Sequence, residues 1–190
     1  MSEETTKYKT SRIQVLGIDP GPKGKGSGMV LANKDRLILS TQIETKFVDV
    51  CPSMDAVVIE MVSSYGMAVG MSTFQTLIEA GRLVQIAMRT GVPVYLVPRQ
   101  QIKVVLCGTA QAKDANIRQA ILDRYAPTGG GSTPVVGTKK EPGPLYGMKG
   151  HGWAAMAAAM WYWLAKEERG VDVEQWRYTE DCWSEFKIGE

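Results

Sequence analysis

Two short apolar runs, Val15-Leu16-Gly17-Ile18 and Ala56-Val57-Val58-Ile59, each lead straight into a carboxylate, Asp19 and Glu60. An unbroken apolar run of this length is the pattern of a strand buried on both faces, which requires further layers of structure on either side of a sheet. An acid at the tip of such a strand is held at the end of the sheet by a scaffold that resists movement. A single strand-end acid is commonly an ordinary loop residue or a helix cap. Two on neighbouring strands are another matter, because paired carboxylates in a cleft stay ionised at low cost only with a cation between them. Oxygen ligands of this kind suit magnesium or manganese.

The remaining elements follow from periodicity and punctuation. Gly21-Pro22-Lys23-Gly24-Lys25-Gly26-Ser27-Gly28 is a turn, and residues 29–32 and 37–39 read as strands joined through Asn33-Lys34-Asp35, an antiparallel meander. Over residues 72–90 the apolar positions Phe74, Leu77, Ile78, Leu83, Val84 and Ala87 recur with helical spacing, and Gly91 stops the helix. Residues 92–97 form another strand, so the order strand, helix, strand implies a parallel crossover. Residues 115–125 make an amphipathic helix with Asp114 as its N-cap, and residues 153–166 are apolar on nearly all sides, as in a helix packed deep against a sheet. Between them, residues 127–150 are rich in Gly, Pro, Thr and Lys, a length and composition usual for functional or disordered loops. The expected organisation is a flexible segment over residues 1–11, one domain over 12–168, and an appendage over 169–190 carrying Trp176, Tyr178, Trp183 and Phe186.

Composition narrows the class. A chain of 190 residues with 44% hydrophobic and 22% charged residues is an ordinary globular domain, neither disordered nor collagen-like. The net charge of +2 names no partner, and the cations fall in small clusters: Lys23 with Lys25, Arg99 with Lys103, Lys113 with Arg118, Lys139 with Lys140. Cys51, Cys107 and Cys182 are odd in number and far apart, so a reducing cytoplasmic setting is expected rather than a secreted one. No stretch is long and apolar enough to span a bilayer, and Met1-Ser2-Glu3-Glu4 is unlike a signal peptide.

Several groups could carry chemistry. Gly21 and Gly26 have the spacing that opens a P-loop, but Ser27 stands where that motif requires Lys. A glycine turn holding nucleotide phosphates, as in actin-like ATPases, needs a second copy of the fold, for which the chain has no room. His151 is the only histidine, and its place between the loop and the apolar helix suits a third metal ligand or a general base. Lys113 stands at a helix entrance with Arg118 one turn inside, where phosphate oxygens bind, although a solvated helix start explains the same charges. Lys139-Lys140 has the same two readings.

Taken together, the chain resembles the RuvC-like Holliday junction resolvases of the ribonuclease H-like superfamily. The matching residues are Leu16-Gly17-Ile18-Asp19-Pro20-Gly21, Val58-Ile59-Glu60, Ala80-Gly81-Arg82 and Ala112-Lys113. Bacteriophage and prophage members are similar in Ser64-Tyr65-Gly66-Met67, in Lys113-Asp114-Ala115-Asn116-Ile117-Arg118-Gln119, and in Gly137-Thr138-Lys139-Lys140 with Pro142-Gly143-Pro144-Leu145-Tyr146-Gly147. The resemblance spans roughly residues 13–166. It implies an α/β fold with a mixed five-stranded sheet of order 3-2-1-4-5 and helices on both faces. It also implies a homodimer that cuts opposed strands of a four-way DNA junction in the bacterial cytoplasm, with two Mg2+ or Mn2+ ions per site.

By the same resemblance, Asp19 and Glu60 are metal ligands, His151 is a further ligand or base, and Lys113 lies near the scissile phosphate. Tyr65, Arg99, Lys103, Lys113, Arg118, Lys139 and Lys140 are the expected nucleic-acid contacts. One departure stands out: family members often carry an acid three residues after the position of His151, and this chain has Ala154. That leaves a three-ligand site, a fourth ligand such as Asp114, or an inactive protein. The competing functions are a catalytically silent binder of branched DNA, which Ala154 motivates, and a ribonuclease acting on RNA/DNA hybrids, which the basic loop would also suit.

Overall fold

The structure is a computed structural model that describes residues 13–62, 68–126 and 135–179. The segment 1–11, Tyr65, residues 127–134 of the long loop, Cys182, Trp183 and Phe186 lie outside the described residues. Five strands, β1 (Val15–Asp19), β2 (Ser27–Ala32), β3 (Leu37–Ile43), β4 (Ala56–Met61) and β5 (Val94–Pro98), form one sheet in the order β3-β2-β1-β4-β5. The meander pairs β1 with β2 and β2 with β3 antiparallel, whereas β1, β4 and β5 run parallel. The order expected from the resemblance is the one observed.

Both faces of the sheet are covered, which is why its central strands lack polar alternation. Leu16, Ile18, Val57 and Ile59 pack with Leu83, Val84 and Ala87 of α1 (Met71–Met88) on one side. Val15, Val58 and Val97 face the other side, with Ile102 of α2 (Arg99–Cys107), Ile121 of α3 (Asp114–Tyr125) and Met156 of α4 (Gly152–Trp163). Gly17 brings α4 onto β1 at close range, since a Cβ there would lie 1.9 Å from the Ala155 carbonyl oxygen and 2.7 Å from the Ala159 nitrogen. The alanines of α4 answer that glycine. A flat, small-residue contact replaces side-chain interdigitation along this line.

Several local expectations need correction. Helix α2 was not read from the sequence: it starts directly after Pro98, buries Ile102 and Val105, and ends at Gly108, whose φ of 75° closes the helix in the left-handed region. Asp114 is the first residue of α3 and not its N-cap. That place belongs to Lys113, whose backbone N–H donates to Asn116 Oδ1 at 2.9 Å, leaving the Asp114 carboxylate for a tertiary partner. The apolar helix is α-helical only to Trp163 and then widens into a π turn over Leu164–Glu168. The described part of the long loop is a packed element, because Val135, Leu145 and Met148 are buried in the core. The tail docks as far as Tyr178, whose N–H donates to the Val94 carbonyl at 2.8 Å, and Trp176 packs against the same core.

Candidate functional site

Parallel strands deliver their carboxyl ends to one edge, and in open α/β sheets that edge is where ligands bind. Ile18 pairs with Ile59, so Asp19 and Glu60 are the next residues of adjacent strands; Glu60 pairs with Val97 and Met61 with Pro98, so Arg99, the first residue of α2, follows directly after β5. Asp19 and Glu60 therefore stand side by side, with Arg99 just beyond the end of the next strand. On the other flank of β1, Asp19 pairs with Gly28 of β2. His151 sits over Gly28 at the start of α4, and its Nδ1 lies 2.9 Å from Asp19 Oδ2. With the carboxylate ionised, Nδ1–H donates and Nε2 is left with its lone pair.

Gly28 makes this contact possible. A Cβ at that position would stand 2.6 Å from the His151 Cβ and 2.7 Å from its carbonyl oxygen. The sequence alone marks Gly28 only as part of a turn, and the available signal is its place immediately before an apolar run.

Burial sets the electrostatics of the acids. It pushes the Asp19 carboxyl above its ordinary pKa, against the lowering effect of the His151 contact, and it does the same to Glu60 against the attraction of Arg99. Glu60 is only 8% exposed. Its Oε1 accepts from Arg99 Nη1 at 2.6 Å, whereas its Oε2 is buried and has no hydrogen-bond partner among the described residues. The other arm of the guanidinium, Nη2, donates to Asp114 Oδ1 at 2.5 Å. Arg99, expected at a DNA phosphate, thus ties two acids together.

A cleft of about 620 Å³ opens over these groups, lined by Asp19, Arg99, Asp114, Arg118, His151 and Trp153 among others. The Arg118 guanidinium lies 4.6 Å from the Trp153 ring centroid, a cation–π contact that holds a charge on the cleft wall. Trp153 was read only as the start of a buried helix. Ala154 also lines the cleft, so the position that departs from the resemblance faces the acids. Lys113 is exposed and stands outside this lining, one residue before Asp114, and Lys103 is half-buried on α2. Lys139 and Lys140 are exposed on the tight turn between Gly137 and Pro142.

Among the described residues no three His, Cys, Asp or Glu groups are gathered closely enough to hold an ion as they stand. The donor chemistry nevertheless fits a hard divalent cation: two strand-end carboxylates, an imidazole on one of them, and in Glu60 Oε2 a buried oxygen in want of a partner.

No protein-family model and no curated protein sequence matches the chain. Solved structures do. A structure of Thermus thermophilus RuvC superposes with a TM-score of 0.54 at 19% identity, covering 80% of this chain and 95% of that one. The T. thermophilus RuvC in complex with Holliday junction substrate superposes with a TM-score of 0.56 at 18% identity, covering 81% and 94%. The fold of this chain, with its 3-2-1-4-5 sheet and acids at the carboxyl ends of the central strands, is therefore the RuvC-like variant of the ribonuclease H-like fold.

Proposed function

We propose that the chain is a divalent-metal-dependent endonuclease that resolves four-way or otherwise branched DNA junctions by phosphodiester hydrolysis. The observation that carries this reading is the placement of Asp19 and Glu60 at the ends of adjacent strands of a RuvC-like sheet, with His151 on Asp19 and a buried Glu60 oxygen lacking a partner among the described residues. The neighbour solved with a Holliday junction supports the choice of substrate.

Asp19 and Glu60 would hold one or two Mg2+ or Mn2+ ions, with His151 as a further ligand or as the base. A bound ion would supply Lewis acidity, both to activate water as a nucleophile and to offset charge on the leaving oxygen. His151, turned by Asp19 so that Nε2 faces away from the carboxylate, can accept the proton of the attacking water. Arg118, fixed against Trp153, and Lys113 at the head of α3 supply positive charge for the phosphate being cut. Lys103, Lys139, Lys140 and Tyr65 would meet the DNA farther from the reaction. A symmetric homodimer matches paired cuts in a two-fold junction. Helix α1 offers the surface for it, with Met71, Phe74 and Ile78 half or more exposed. Such chemistry belongs in the cytoplasm of a bacterial cell.

A specific observation favours a second reading, a silent binder of branched DNA: Ala154 lines the cleft, and no ready-made three-ligand cluster exists among the described residues. One gel separates the two. Incubation of a labelled four-way junction with Mg2+ should give paired nicks that EDTA and Asp19→Asn each abolish, with binding retained. Binding without cutting, in Mg2+ and Mn2+ alike, would establish the silent binder.

A further inference from the structure

We infer that Arg99 is an internal counter-cation that occupies the acid site of the metal-free protein and competes with the divalent ion for Glu60. This rests on the metal-dependent reading above and adds what regulates that site. Three features of the geometry carry it.

First, Arg99 is the first residue of α2 directly after β5, two residues beyond Val97, which pairs with Glu60, so its guanidinium reaches back to Glu60 from the end of the neighbouring strand. Second, Glu60 is buried, and an ionised carboxylate there with no positive partner is strongly destabilising, so it is the cation beside it that favours its ionised form when no ion is bound. Arg99 does this with one oxygen only, leaving Oε2 for another positive charge. Third, the second arm of the guanidinium is on Asp114, whose side chain is 83% exposed. Asp114 is a solvent-side anchor to which Arg99 can remain attached once Glu60 lets go. A guanidinium is suited to this bridge because its fork serves two carboxylates at once.

The charge that bridges Glu60 and Asp114 belongs to the protein itself. Glu60 would hold a divalent ion only against repulsion from Arg99, or with Arg99 displaced toward Asp114. Arg99 is thus a positioning residue that sets the metal concentration at which the site loads.

The test is calorimetric titration of Mn2+ into metal-stripped protein without DNA, alongside thermal unfolding in EDTA and in Mn2+. Arg99→Met should bind Mn2+ about tenfold more tightly than wild type or better. Its metal-free Tm should fall, and Mn2+ should raise that Tm by more than it does in wild type. Arg99→Lys, which keeps the charge but reaches one carboxylate, should lie between the two. Glu60→Gln/Arg99→Met should recover the metal-free stability lost in Arg99→Met.

If wild type binds Mn2+ and Glu60→Gln does not, but Arg99→Met binds equally or less well, the competition is refuted while the metal site stands. If neither wild type nor Arg99→Met binds Mn2+, the metal site and this inference fall together. Should Arg99→Met fail to fold without metal, Arg99→Lys decides: Mn2+ affinity no higher than wild type overturns the inference.

Discussion

Gly28→Ala is the sharpest perturbation available, because it adds one methyl group at a point where two elements meet. The new Cβ would stand 2.6 Å from the His151 Cβ, 2.7 Å from its carbonyl oxygen and 2.8 Å from its carbonyl carbon. Carbon atoms in ordinary contact are about 3.5 to 4.0 Å apart, so His151 has to retreat by about 1 Å. Gly28 cannot yield instead, since β2 is paired on both sides, to Asp19 and to Gln42. A retreat of that size takes the 2.9 Å His151–Asp19 contact beyond hydrogen-bond range. Forced overpacking costs about 1 to 3 kcal/mol, and the lost contact adds only a fraction because the His151 side chain is 61% exposed. A total of about 2 kcal/mol lowers the Tm of a domain this size by about 4 to 8 °C. Nitrogen NMR of the imidazole reads the geometry directly, because the chain has one histidine. Wild type should show the Nδ1–H tautomer held by Asp19, and Gly28→Ala a mixture, with junction cleavage reduced more than tenfold. A Tm within 1 °C of wild type together with an unchanged imidazole spectrum would refute the argument from close approach.

Three further outcomes are expected. Burial raises the Asp19 carboxyl pKa in the folded protein, so its contribution to stability is present below the unfolded value and is lost as pH rises through the folded one. Asp19→Asn should therefore be more stable than wild type at pH 7 in EDTA, with the gap closing in acid; Tm against pH reads this, and a gap independent of pH would contradict it. Phe74→Glu with Ile78→Glu should leave folding within about 0.5 kcal/mol, since both side chains are exposed, but shift sedimentation toward monomer if α1 is the dimer surface. Lys113→Ala should weaken junction binding and reduce the slope of log affinity against log salt by about 1 if Lys113 meets a phosphate, and an unchanged slope would place it off the DNA.

Much of this protein was legible in its residue order. Apolar runs without alternation meant strands covered on both faces, and the observed β1 and β4 send successive side chains into two separate cores. Their terminal acids, the meander and the crossover through α1 followed from local pattern, because a strand end and a helix period are properties of neighbouring residues. The pattern of the long loop misled for the opposite reason: Val135, Leu145 and Met148 are too widely spaced for periodicity to register, yet all three are buried. Helix α2 escapes the sequence pattern because only Ile102 and Val105 are buried on its inner face, over about two and a half turns.

What the tertiary structure alone decided is the wiring of the site. Arg99 and Asp114 each looked like an isolated charge, and only the alignment of β4 with β5 and the packing of α2 against α3 put one guanidinium between Glu60 and Asp114. Gly28 and His151 are distant in sequence, and their closeness depends on how far α4 can descend onto the sheet, which the small residues at Gly17 and Ala155 determine. A sequence records which groups are available at the ends of its elements. Which of them meet is decided by register and by interhelical distance, quantities that arise only when the layers pack.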